Sequence, residues 1–121
     1  MRIKGIAKVI TVLAMVGSFS IPALATAVEG ARSGRFRIKA GETHTFRAAF
    51  YGGELASVLV LGDGDTDLDV YVYDAAGKPV AVDDDYTDAC FVEWKPRWTG
   101  TFTIKVVNRG RVYNDYSIEW D

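Results

Sequence analysis

The stretch Asp67-Leu68-Asp69-Val70-Tyr71-Val72-Tyr73-Asp74, followed by Ala75-Ala76-Gly77-Lys78 and Pro79-Val80-Ala81-Val82, decides the fold class. Leu68, Val70 and Val72 alternate with Asp69, Tyr71 and Tyr73. In a strand, successive side chains point to opposite faces, so one face of this segment is aliphatic and the other polar-aromatic. The Asp-Ala-Ala-Gly run supplies turn chemistry, and the chain then runs back. This is an antiparallel hairpin with one buried and one open face.

Working outward, the same period of two recurs in short runs separated by turn residues. Phe36 and Ile38 alternate with Arg35, Arg37 and Lys39; His44, Phe46, Ala48 and Phe50 share a face opposite Thr43, Thr45 and Arg47. Cys90, Val92 and Trp94 form another set, as do Phe102, Ile104 and Val106, and finally Tyr116, Ile118 and Trp120. Glu54 to Leu61 is more continuously apolar, which predicts a central strand covered on both faces. No amphipathic helix of useful length is present. Seven or eight strands at this spacing predict an all-β, antiparallel β-sandwich or jelly roll.

The first residues are of a different character. Arg2, Lys4 and Lys8 precede an apolar stretch from Val9 to Ile21, Pro22, and the small-residue patterns Ala23-Leu24-Ala25 and Ala25-Thr26-Ala27. This predicts a secretory signal peptide over residues 1–25, a flexible lead over 26–34 and a single domain over 35–121. The location that follows is secreted or periplasmic, without membrane insertion after cleavage. Removing the signal takes three of the 14 basic residues and none of the 16 acids, leaving a net charge of −5. Nucleic acid is therefore a poor partner. The chain is 49% hydrophobic and 25% charged, which excludes a disordered polymer. Its single cysteine, Cys90, excludes an intramolecular disulfide and reads as a buried small hydrophobe.

The run from Asp67 to Asp74 with Gly77, then Gly100-Thr101-Phe102-Thr103-Ile104-Lys105-Val106 with Asn108, ending at Tyr116, resembles the bacterial pre-peptidase C-terminal domain, a relative of the collagen-binding modules of clostridial collagenases. The resemblance covers about residues 35 to 120. It implies a secreted, non-catalytic, jelly-roll-like sandwich of a kind usually appended to a protease or other exoenzyme.

The chemistry-bearing feature is acidic. Nine aspartates fall between Asp63 and Asp88, against Lys78 as the only base there. If Asp74 pairs with Pro79, the hairpin register sets Val70 opposite Asp83, Asp69 opposite Asp84 and Leu68 opposite Asp85. Two acidic clusters then meet at one end of the sheet. Hard cations such as calcium take six to eight oxygen ligands from flexible loops. The candidate ligands are Asp65, Asp67, Asp83 and Asp85, followed by Asp69 and Asp84. The competing reading is a solvated acidic edge that discourages strand-to-strand aggregation.

Catalysis finds little support. His44 is the only histidine and lies on the apolar side of its strand, no serine sits in a nucleophile-elbow context, and no basic residue stands near Cys90 in sequence. A non-enzymatic role is expected. Tyr71, Tyr73 and Trp98 are candidate ligand-binding residues, since tyrosines on a flat sheet can stack on sugar rings or an extended peptide; the alternative is that they pack under loops. Two functions follow: a binding or adaptor module for extracytoplasmic protein or polysaccharide, stabilised by calcium, or a structural envelope-associated interaction protein with no metal site.

Overall fold

A computed structural model of the protein describes residues 33–121. Residues 1–32, on which the expected signal peptide and most of the flexible lead fall, lie outside the described residues. Eight strands make up the domain: β1 (Ser33–Ile38), β2 (Thr43–Phe50), β3 (Ala56–Leu61), β4 (Leu68–Tyr73), β5 (Pro79–Asp83), β6 (Ala89–Trp94), β7 (Gly100–Asn108) and β8 (Asn114–Trp120). They form two four-stranded sheets, sheet I in the order β1-β8-β3-β6 and sheet II in the order β2-β7-β4-β5. All pairings are antiparallel. Strands remote in sequence thus lie side by side, which is the jelly-roll form of the expected β-sandwich.

The core lies between the sheets and comes from the predicted alternation. Ile38, Phe46, Phe50, Leu68, Ile104, Tyr116, Ile118 and Trp120 are among the largest buried side chains. Each belongs to an inward-facing set of the sequence pattern. Rings pack against rings across the interior: Phe46 meets Trp120 at 6.0 Å between centroids, and Phe50 meets Trp94 at 4.9 Å. Each such side chain, buried from full exposure, stabilises the fold by about 1.5–3 kcal/mol before conformational entropy is counted.

Three expectations need correction. The domain starts earlier than residue 35, because Ser33 and Gly34 already pair with Glu119 and Ile118. β3 begins at Ala56, and only Ala56, Val58 and Val60 are buried while Leu61 is 47% exposed. It is central in the hydrogen-bonding direction, between β8 and β6, yet only one of its faces meets the other sheet.

The hairpin is the third case. Val70 does pair with Asp83, as the register predicts, but Tyr73 rather than Asp74 is opposite Pro79, with a bulge between Val72 and Tyr73. Proline has no N–H to return to the ladder. The hairpin instead closes through the Asp74 N–H donated to the Lys78 carbonyl at 2.9 Å, and Asp74 Oδ1 accepts from the N–H groups of Ala76 and Lys78.

Candidate functional site

The jelly-roll order sends the β1–β2, β3–β4, β5–β6 and β7–β8 connections to one end of the sandwich, so the two acidic loops meet there as expected. Many of their carboxylates are occupied in holding backbone. Asp63 accepts from the N–H of Asp65 at 3.0 Å and, through its other oxygen, from that of Asp115 at 2.8 Å. Asp83 accepts from the Phe91 N–H at 2.9 Å. Asp85 accepts from both the N–H and the hydroxyl of Thr87 at 2.9 Å. Asp88 accepts from the Gly64 N–H at 2.7 Å and from the Asn114 side-chain amide at 2.9 Å. Gly62 lies so close that a β-carbon there would run into the Asp88 carboxylate.

Two asparagines, both fully buried, organise the rest of this end. Asn114 donates to Thr66 and Asp88 and accepts from the Asp63 N–H. Asn108 donates to the carbonyls of Ile38 and Val112 and accepts from the Gly110 N–H. Local side-chain to backbone bonds of this kind are what make Asp and Asn favourable in turns. The acidic composition is therefore in large part the chemistry of loop closure.

The charges of Asp69, Asp85 and Asp84 all act on Asp67. Burial, then the charges of Asp69 and Asp85, push its carboxyl above the ordinary range; Arg109 opposes this, and Asp84 adds to the rise. Asp69 is buried, and its Oδ2 accepts from Arg109 Nε at 2.8 Å and from the Tyr71 hydroxyl at 3.0 Å. One oxygen each of Asp67 and Asp69, the Oδ1 atoms, is buried without a hydrogen-bond partner. Asp65 and Asp84 are exposed. Among the described residues, no three His, Cys, Asp or Glu side chains are disposed to hold one metal ion.

Tyr71 and Tyr73 project from the outer face of sheet II and are half-buried there, while Leu68, Val70 and Val72 of the same strand are core. Tyr71 pairs across with Lys105 of β7, and Tyr73 with Thr103. Lys105 Nζ lies 5.5 Å from the Tyr73 ring centroid, and Arg109 donates to the Tyr71 hydroxyl at 3.0 Å. Trp98 is not part of this face. It is 75% exposed in the β6–β7 loop, at the end of the sandwich opposite the acidic loops.

The remaining reactive groups are buried. His44 and Tyr116 bond to one another in the interior. Cys90 donates its S–H to the Leu68 carbonyl at 3.1 Å, and burial, followed by the charges of Asp83 and Asp85, pushes its pKa up to about 12. Sequence reasoning missed Arg109, the cation that binds Asp69 and Tyr71. Its signal was available: the Asn108-Arg109-Gly110 turn joins β7 to β8 and so belongs to the acidic end. Tyr86, 93% exposed between the acids of the β5–β6 loop, was also missed.

No protein-family model matches the sequence, and no curated protein matches it. Among solved structures, the pre-peptidase C-terminal domain of a collagenase from Bacillus anthracis is similar, with a TM-score of 0.58 and 11% identity over 74% of this chain and 87% of that one. CorA, a surface-associated copper-binding protein of Methylomicrobium album BG8, aligns with a TM-score of 0.64 and 6% identity, over 77% and 94% of the two chains. PliG of Aeromonas hydrophila, a periplasmic inhibitor of g-type lysozyme, aligns with a TM-score of 0.50 and 15% identity, over 76% and 89%. At these identities the likeness is one of fold. It is the fold that the resemblance to the pre-peptidase C-terminal domain implies.

Proposed function

We propose that the protein is a non-catalytic binding module, secreted or periplasmic, that recognises polysaccharide or protein through the outer face of sheet II. The observation that carries this reading is the placement of Tyr71 and Tyr73 on the open side of a strand whose other side is core. A sandwich needs only its inner faces to fold, so aromatic area on an outer face is available to a ligand. The similar structures support the class: one is a domain of a collagenase, one is a surface-associated copper-binding protein and one inhibits a lysozyme. A burial-raised thiol and an interior histidine argue against hydrolysis by this chain. No helix among the described residues is long and apolar enough to cross a membrane.

The same reading includes calcium as a stabilising ion at the acidic end. Its carboxylates are those of Asp65, Asp67, Asp83 and Asp85, followed by Asp69 and Asp84. The partnerless Oδ1 atoms of Asp67 and Asp69 support this, because a cation would satisfy oxygens that are otherwise costly to bury. Arg109 already brings one positive charge to this end.

The test is retention of the purified protein on a panel of insoluble polysaccharides and immobilised extracellular proteins, beside the Tyr71→Ala, Tyr73→Ala double variant. Retention that falls about tenfold in the double variant is expected, since two lost stacking contacts cost on the order of 1–2 kcal/mol. No retention on any member of the panel, or equal retention of both proteins, removes the tyrosine face as the binding surface.

A further inference from the structure

A groove lies on the outer face of sheet I, on the side of the sandwich away from Tyr71 and Tyr73. It has a volume of about 240 Å³ and runs over β8, between β1 and β3. Its lining side chains are Ser33 and Arg35 on β1, Ser117 and Glu119 on β8, and Leu59 on β3. Ser33 stands opposite Glu119 and Arg35 opposite Ser117. Arg35 and Glu119 are therefore diagonal neighbours on one face, with backbones about 7–8 Å apart.

The two charges flank the groove instead of closing across it. Among the described residues, Arg37 is joined to Asp115 and Arg109 to Asp69, while neither Arg35 nor Glu119 is in an ion pair. The field of Arg35 reaches Asp115, but Arg37 already holds that carboxylate through Nε and Nη2. The groove thus offers a guanidinium that only donates, a carboxylate that only accepts, and two hydroxyls that do both. Beyond Leu59 the face turns apolar. Phe91 of β6 stands opposite Leu59 and is 51% exposed, and Leu61, in the next row with Ala89, is 47% exposed. From β8 across β3 to β6 is about 10 Å, so a polar trough and a hydrocarbon platform lie side by side.

We infer that this groove is a second binding site, separate from the tyrosine face, and that it takes a neutral sugar chain. One ring sits between Arg35 and Glu119, and the next lies on Leu59 and Phe91. The site stands whether or not sheet II binds anything. One cation and one carboxylate sum to no net charge, so the groove prefers neither an anion nor a cation. Two adjacent sugar hydroxyls accept from the guanidinium and donate to the carboxylate at once. The hydrocarbon face of a sugar ring suits an exposed phenyl ring. The volume is below that of pockets for drug-sized ligands, which matches a groove that seats one ring of a chain. An extended peptide fits less well: β8 and β3 are the inner strands of sheet I, with their backbone groups committed to ladders on both sides, and strand addition needs an open edge.

The experiment titrates the protein with cellotetraose, mannotetraose and N-acetylated chitotetraose, and with glycine as a zwitterion without sugar character, and follows the backbone amides by NMR. At least one tetrasaccharide should shift the amides of Leu59, Ser117 and Glu119. It should bind about tenfold more weakly to Arg35→Gln and to Glu119→Gln, and several-fold more weakly to Phe91→Ala. Unchanged affinity in both charge variants would overturn the seating between Arg35 and Glu119. Shifts confined to the amides of Tyr71 and Tyr73 would overturn the groove and leave the sheet II reading intact. Groove shifts with glycine and with no sugar would overturn the sugar. Groove shifts that grow with protein concentration alone, together with a doubled mass, would give this face to a second copy and overturn the site. No shift at the groove with any of the three sugars overturns the inference, whereas the sheet II reading falls only if its own panel is blank.

Discussion

The ring of His44 on β2 and the hydroxyl of Tyr116 on β8 meet 2.7 Å apart, joining the two sheets through a polar contact inside the aromatic cluster of Phe36 and Phe46. Glu42 Oε1 lies 3.5 Å from His44 Nε2. A carboxylate can only accept, so the proton belongs on Nε2, and the Tyr116 hydroxyl donates to Nδ1. The imidazole is neutral, and burial lowers its pKa more than Glu42 raises it.

A histidine buried in its neutral form makes stability depend on pH. In the unfolded chain it takes up a proton near pH 6.5, while in the folded chain it resists until lower pH. The stabilisation is full above about pH 6.5 and is lost as the pH falls toward the depressed folded value. We expect the melting temperature to drop on the order of 5 °C between pH 7.5 and 5.5, and the drop to shrink in His44→Gln. A parent protein whose melt is flat across that window would contradict the neutral, buried imidazole.

Asp67 has the opposite sign. Its folded pKa is raised, so its penalty is absent below the ordinary carboxylate pKa and complete above the raised one. At pH 7 in chelator, Asp67→Asn should therefore melt a few degrees higher than the parent. In millimolar calcium the order should reverse: the parent gains about 2.7 kcal/mol at a hundredfold excess over Kd, and Asp67→Asn gains little. Equal responses to calcium would leave loop closure and solubility as the role of the acids.

Cys90 should be inert. With its pKa pushed up to about 12 and its sulfur bonded to the Leu68 carbonyl, almost no thiolate exists near neutrality. A disulfide reagent at pH 8 is expected to label the native protein only at the rate of unfolding, and the denatured protein at once. Fast native labelling would mean that the β4–β6 side of the sandwich opens.

Gly52 sits against the neighbouring β6–β7 loop, where a β-carbon would lie 2.8 Å from the backbone of Trp98 and Thr99. Backbone cannot rotate away as a side-chain tip can. Gly52→Ala should cost about 1–3 kcal/mol, read as a lower denaturant midpoint with unchanged slope, and displace the loop that carries Trp98.

The fold was legible because every inward set, from Phe46 and Phe50 to Tyr116 and Trp120, follows a strict period of two. Continuous hydrophobicity misled at β3: Leu59 and Leu61 are apolar on the face turned away from the other sheet, and period alone does not say which face has a partner. The bulge before Tyr73 turned on a missing proline N–H rather than on hydropathy. At the candidate site, the sequence placed Tyr71 and Tyr73 outward and gathered the acids at one end. It could not foresee that Asp63, Asp83, Asp85 and Asp88 would be engaged by backbone N–H groups, because those bonds depend on loop shape. Nor does spacing bring Arg109 to Asp69, since that contact arises from the pairing of β4 with β7.

β1 takes its place only beside β8, with Ser33 opposite Glu119. Strand pairings between segments so distant in sequence are slow to form, because the intervening loop must close before any contact rewards it. β1 therefore has no strand partner in sheet I until β8 has been made. Removing β8 would do more than shorten one sheet: it would leave β1 unpaired and uncover one side of β3, so truncation from Asn114 should prevent folding altogether.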